Sequence, residues 1–223
     1  ADKIKRDVMG NLIVRKKGSG PKVMFAAHMD SIGCIVTYIE KEGYLRFGKV
    51  GGLHAPDLIA TPVRFKNGVR GVICLSESVD PKDMTLDDLY IDIGAHDADE
   101  AGAMVKIGDT AVYDTPTYAV GDRFVSPYMD NRISCLVLLM ALEELQNSDN
   151  DLYFVFTVQE EVGTRGSKTA AWSIAPDYGV AVDVTDVDDT PGTERGGTVQ
   201  LGRGAAVKIM DSSVICHPAV VEK

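Results

Sequence analysis

The chain has 223 residues, 45% hydrophobic and 25% charged, which is too apolar for a disordered polymer and long enough for one or two domains. Its formal charge of −10 and pI near 4.8 argue against nucleic acid or an anionic membrane as partner. Four isolated cysteines with no CxxC spacing speak against a structural zinc finger, and the absence of a long apolar run speaks against a membrane span, so a reducing cytoplasm is expected.

In chain order, residues 12–14 and 22–27 are short β-type runs, separated by a hairpin-like Gly18-Ser19-Gly20-Pro21 turn. The second run ends in AAHMD, where alternation puts His28 and Asp30 on one face. An aspartate there can accept the second ring N–H of a metal-bound histidine and fix its tautomer, although a lone HxD also fits a plain strand end. Residues 34–39 form another strand. From there to about Gly121 the pattern is of short strands (44–47, 61–65, 69–75) broken by Gly, Asn and Pro. Asn67-Gly68 is a strong hairpin signal and only residues 85–89 look briefly helical, so this stretch predicts a small β-rich unit.

The texture then changes. Ile133, Leu136, Val137, Met140 and Ala141 recur at helical spacing, predicting a helix over 133–145, with Asp130 placed either as its N-cap or as a ligand. LYFVFTV (152–158) is a continuous apolar run of the kind buried on both faces of a sheet. It runs directly into Glu160 and Glu161, two adjacent carboxylates whose burial is costly without a cation or proton, and Gly163 would let the chain turn so that both face one site. A helix over 167–174 and a strand over 178–184, ending in Asp183, complete an α/β pattern with a partly parallel sheet. Acids and a histidine at successive strand ends suit a divalent first-row metal, and several carboxylates with few histidines suit a two-metal hydrolytic site. His54, His96 and His217 are expected at the surface.

AAHMDSIG, YIDIGA, MDNR, FTVQEEVGTRG, AVDVTD, DTPG and LGRG occur in this order over nearly the whole chain. Together they resemble the tetrahedral, deblocking and glutamyl aminopeptidases, cytosolic two-metal peptidases of which some members have carried an endoglucanase label. The resemblance implies an α/β sandwich with a mixed sheet, formed by residues 1–32 and 122–223 and interrupted by a β-rich dimerisation insert, 33–121. It implies His28 and Asp183 as ligands of a first metal, Asp130 as the bridge between two metals, and Glu161 as a ligand of the second. Asp30 matches the carboxylate behind His28, and Glu160 the general base. Two divalent ions, zinc or cobalt, peptide substrates, and dimers built into a dodecameric shell are further implications.

The family places another metal-binding histidine far downstream, and His217 does not match it. The first ion position is therefore expected to be the better supplied by these 223 residues. Two rival readings follow from the same acids: a glycoside hydrolase using two carboxylates, which leaves His28 and Asp30 without a task, and an inactive shell-forming or peptide-binding homologue.

Overall fold

The structure is a computed structural model describing residues 1–193 and 198–222. The chain divides into a unit of Ala1–Asp183 and a unit of Val184–Lys223.

The first unit begins with β1 (Lys3–Arg6), β2 (Leu12–Lys16) and β3 (Lys22–His28), followed by six strands of a closed barrel. These are β4 (Gly33–Ile39), β5 (Leu45–Val50), β6 (Pro62–Phe65), β7 (Arg70–Leu75), β8 (Leu89–Asp92) and β9 (Thr110–Tyr113), in the order β4-β5-β8-β7-β6-β9. The helix α1 (Ala98–Met104) precedes β9, and a hairpin of β10 (Tyr118–Val120) and β11 (Arg123–Val125) follows it. The chain then forms α2 (Met129–Glu144), β12 (Asp151–Thr157), α3 (Arg165–Ile174) and β13 (Tyr178–Ala181).

The main sheet is mixed, in the order β1-β2-β12-β3-β13. β12 runs parallel to β3 and antiparallel to β2, and β13 runs parallel to β3. Strand alternation sorts β12 onto two faces. Leu152, Phe154 and Phe156 pack with Cys135 and Leu138 of α2, whereas Val155 packs with Ala170 and Ile174 of α3. The apolar run is thus buried on both sides, and Val155 is 0% exposed, a burial contributing roughly 1.5–3 kcal/mol.

The Gly18–Pro21 segment does not make a hairpin between neighbouring strands, because β12 lies between β2 and β3. The segment instead wraps the start of β12: a Cβ on Gly18 would lie 2.3 Å from the carbonyl oxygen of Asn150. The β6–β7 turn is tight, as Asn67-Gly68 predicts, with Gly68 at φ +93°. Inside the barrel Leu45, Val63, Ile73, Leu89 and Ile91 are all fully buried. Closure through Cys34–Ala111 and Ile35–Thr110 joins the first strand to the last, which removes open edges. The predicted turn of helix at 85–89 is a 3-10 turn, Leu86–Asp88. The helix α1, capped by Asp97, has no counterpart in the predicted elements.

In the second unit, the described residues form an isolated bridge between Met210 and Ile215 and a short helix, α4 (Pro218–Val221). Among the described residues no helix is long and apolar enough to cross a membrane.

Candidate metal centre

Register alone brings the strand ends together. His28 of β3 lies opposite Thr157 of β12, so the chain leaving β12 delivers Glu160 and Glu161 beside it. On the other flank, Val182 N–H donates to the Ala26 carbonyl at 2.8 Å, which carries Asp183 to the same edge. The start of α2 is pinned across these ends. Arg132 Nε donates to Met29 O at 2.8 Å, Asn131 Nδ2 to Val182 O at 3.0 Å, and the Cys135 thiol to His28 O at 3.2 Å. Asp130 does not cap this helix: Tyr128 is at the N-cap, and Asp130 sits in an irregular first turn with extended backbone (φ −82°, ψ 108°).

The Asp130 carboxylate instead lies 2.9 Å from His28 Nε2. Glu160 and Asp183 oxygens lie 3.9 and 3.8 Å from the same nitrogen. One donor atom each from His28, Asp130 and Glu161 falls within 4.8 Å of the others. The opposite ring nitrogen, Nδ1, is 3.1 Å from the backbone carbonyl of Asp30. A carbonyl only accepts, so Nδ1 carries the hydrogen, and in the neutral ring the lone pair of Nε2 faces the carboxylates. That arrangement is repulsive unless a cation or a proton stands between them. Burial disfavours the charged imidazole, yet Asp30, Asp183, Asp130 and Glu160 together push the His28 pKa up to about 9. The acids around the ring thus favour a positive charge at this position.

Asp30 does more than face the ring, from which its carboxylate is 3.6 Å away. Its two oxygens accept the backbone N–H groups of Glu160 and Glu161 at 3.1 and 3.2 Å. Burial raises its pKa, but His28 and these two N–H donors outweigh it and hold the carboxyl below its ordinary value. Burial pushes Glu160 up, with His28 opposing and the neighbouring acids adding; burial and Asp130 likewise push Glu161 up. The chain turns after β12 through left-handed backbone at Gln159 (φ +57°), Gly163 (φ +114°) and Thr164 (φ +53°), and the Gly163 and Thr164 N–H groups both close on the Glu160 carbonyl at 2.8 Å.

Asn11 holds the base of this turn. Its side chain is fully buried: Oδ1 accepts from Val158 N at 3.1 Å, while Nδ2 donates to Gly166 O at 2.9 Å and to Asp7 Oδ2 at 2.8 Å. Sequence reasoning passed over it because an asparagine after glycine reads as a turn residue. His54 and His96 are exposed and pair locally with Asp57 and Glu100, as expected of surface histidines.

The donor set, one imidazole nitrogen and several carboxylate oxygens around it, fits zinc or a similar first-row divalent ion. Asn131 Oδ1, next in sequence to Asp130, is buried with no hydrogen-bond partner among the described residues.

The family described as M42 glutamyl aminopeptidase matches residues 10–223. A protein of Acetivibrio thermocellus that carries an aminopeptidase name is 52% identical over 220 residues, covering 98% of this chain and 66% of its own. The solved aminopeptidase APDkam598 of Desulfurococcus kamchatkensis superposes with a TM-score of 0.93 at 40% identity, over 99% of this chain and 65% of that one. The TET1 peptidase of Pyrococcus horikoshii, which can assemble into a tetrahedron or a large octahedral shell, has a TM-score of 0.74 at 36% identity, over 81% of this chain and 58% of its own. The chain spans 61–66% of the length of the curated relatives it matches.

Proposed function

The chain belongs to the M42 glutamyl aminopeptidase family, and from that premise we propose that it is a metal-dependent aminopeptidase that removes N-terminal residues from peptides. The observation that supports this reading best is the Nε2 nitrogen of His28 turned into a ring of carboxylates. His28, Asp130 and Asp183 would hold a first divalent ion, and Asp130 with Glu161 a second, with zinc or cobalt the fitting choices. When bound, such ions lower the pKa of water and polarise a carbonyl.

The chain's own groups do the rest. Glu160, a carboxylate with a raised pKa beside the ligand set, takes the proton from the attacking water and returns it to the leaving amine. Asp30 orients both partners at once, fixing the His28 side of the site and the backbone of Glu160 and Glu161. His28, held through Nδ1 by a carbonyl, presents Nε2 to the ion. The free amine of a peptide is a cation and suits the acidic rim formed by Glu161 and its neighbours, which favours cleavage at the chain terminus. The same reading takes 33–121 as the association insert, builds dimers and a larger shell from it, and places the protein in the cytoplasm.

The test is hydrolysis of aminoacyl amides with and without chelator, on protein analysed for metal. Release of N-terminal residues that stops on chelation and returns with zinc or cobalt is expected. Chelator-resistant cleavage of a β-glucan would put a two-carboxylate glycosidase in its place. Sedimentation should show dimers or larger species, and a monomer at micromolar concentration would contradict the association role.

A further inference from the structure

Glu161 is held from a second side, by the barrel. The turn leaving β5 places Gly51 at φ +81°, and an ideal Cβ on it would lie 3.1 Å from Glu161 Cβ, 3.2 Å from Glu161 Oε2 and 2.7 Å from Ile32 Cγ2. Space and backbone conformation both demand glycine there. The neighbouring Gly52 differs: a Cβ on it would meet nothing within 4 Å.

The Gly51 turn is not free to yield. Val50 pairs with Gly33 at the barrel entrance, and Leu53 and Ala55, just beyond the turn, belong to the barrel core. Ile32, the residue pressed against Gly51, packs on the same core. The turn is therefore fixed by the barrel, while the Glu161 backbone is fixed by Asp30 through its N–H.

We propose that Gly51 is a positioning residue for the metal ligand Glu161, so that the barrel forms one wall of the metal centre and sets its affinity, besides any part it has in association. This rests on the metal-centre reading above. A methyl group at position 51 would push the Glu161 carboxylate off its place, and disturbing a group that orients a ligand typically weakens metal affinity about 10–100-fold.

The experiment is calorimetric titration with Zn²⁺ of metal-free wild-type chain, Gly51→Ala, Gly52→Ala and Gly68→Ala. Gly68, at φ +93° with no atom within 4 Å of an added Cβ, carries the same backbone penalty in the same barrel without the contact. Gly51→Ala should bind the Zn²⁺ that Glu161 ligates at least about 10-fold more weakly, while both control variants keep wild-type affinity at that position. Equal affinity in Gly51→Ala, or equal weakening in Gly68→Ala, would overturn the proposal. Absence of Zn²⁺ binding in the wild-type chain would instead overturn the metal-centre reading, and the proposal with it. Should Gly51→Ala fail to fold, the double variant Gly51→Ala/Ile32→Ala removes the tightest clash and keeps the methyl against Glu161; wild-type affinity in that variant would also overturn the proposal.

Discussion

The two ends of the parallel strands β3 and β12 carry acids, and they treat them in opposite ways. Where β12 begins, Asp151 is buried and matched by Arg15 in a bidentate pair, with both contacts at 2.7 Å, and Tyr153 donates to it at 3.1 Å. Where the same strands end, no lysine or arginine among the described residues pairs with Asp30, Asp130, Glu160 or Glu161. The cation within reach of their carboxylates is His28, whose pKa is raised to about 9 against its own burial. An acid matched by a protein cation is a structural element. Acids gathered around one imidazole nitrogen, with their backbone held by a further carboxylate, form a group that could hold an ion from outside.

Four substitutions would break or sharpen this contrast. The largest effect is expected from Glu160→Gln, which should keep bound metal and fold but lower turnover by ~10²–10⁴-fold; unchanged hydrolysis in a metal-replete variant removes Glu160 as the base. Asp130→Ala should next weaken Zn²⁺ binding at both ion positions, read by elemental analysis after dialysis. An intact metal content with only a lower melting temperature would remove Asp130 as a ligand of either ion.

Asn11→Ala should act on both ends of the argument at once. It leaves the Val158 N–H buried without an acceptor, a loss of about 1–3 kcal/mol in a denaturant titration, and loosens the turn that carries Glu160 and Glu161. A variant of wild-type stability would show that water replaces the carboxamide. Asp151→Asn is expected to cost about 1–2 kcal/mol, because the pair is only partly shielded, Arg15 being 33% exposed, and to leave Zn²⁺ affinity untouched. Its pH signature has a definite sign. The Arg15 hydrogen bonds hold the Asp151 pKa below the ordinary 3.8, so its stabilisation is complete above that value and is lost as pH falls through the lowered folded value. The wild type should lose this increment in acid melts below about pH 4, and Asp151→Asn should not. Parallel acid profiles of the two proteins would contradict the assignment.

Much of the α/β part was readable in sequence because it depends on short-range signals. The apolar run at 152–158 reads as a strand buried on both faces, and the spacing from Ile133 to Ala141 reads as a helix, although α2 buries Ser134, Cys135 and Leu138 and leaves Ile133, Leu136, Val137 and Met140 exposed. The ends of buried strands singled out His28, Glu160, Glu161 and Asp183, the start of the long helix singled out Asp130, and the family motifs supplied the roles proposed for them. What was missed depends on partners distant in sequence. Gly18–Pro21 looks like a hairpin because nothing local reveals that β12 enters between β2 and β3. The barrel strands were visible singly, but their closure through Cys34 and Ala111 was not. Asp130 fits a cap by residue type, and only the irregular first turn of α2 shows its carboxylate turned toward His28. Asn11 and Gly51 serve a loop and a side chain more than a hundred residues away, so neither bears a local mark of its task.

On the proposed reading a divalent ion displaces the proton that His28 Nε2 shares with the carboxylates around it. Crystals of the protein grown with Zn²⁺, measured at the zinc absorption edge, test it most directly. An anomalous peak bonded to His28 Nε2 and to an Asp130 oxygen is the predicted result. Density showing Nε2 hydrogen-bonded to the Asp130 carboxylate, with no anomalous peak at that edge of the sheet, would contradict it.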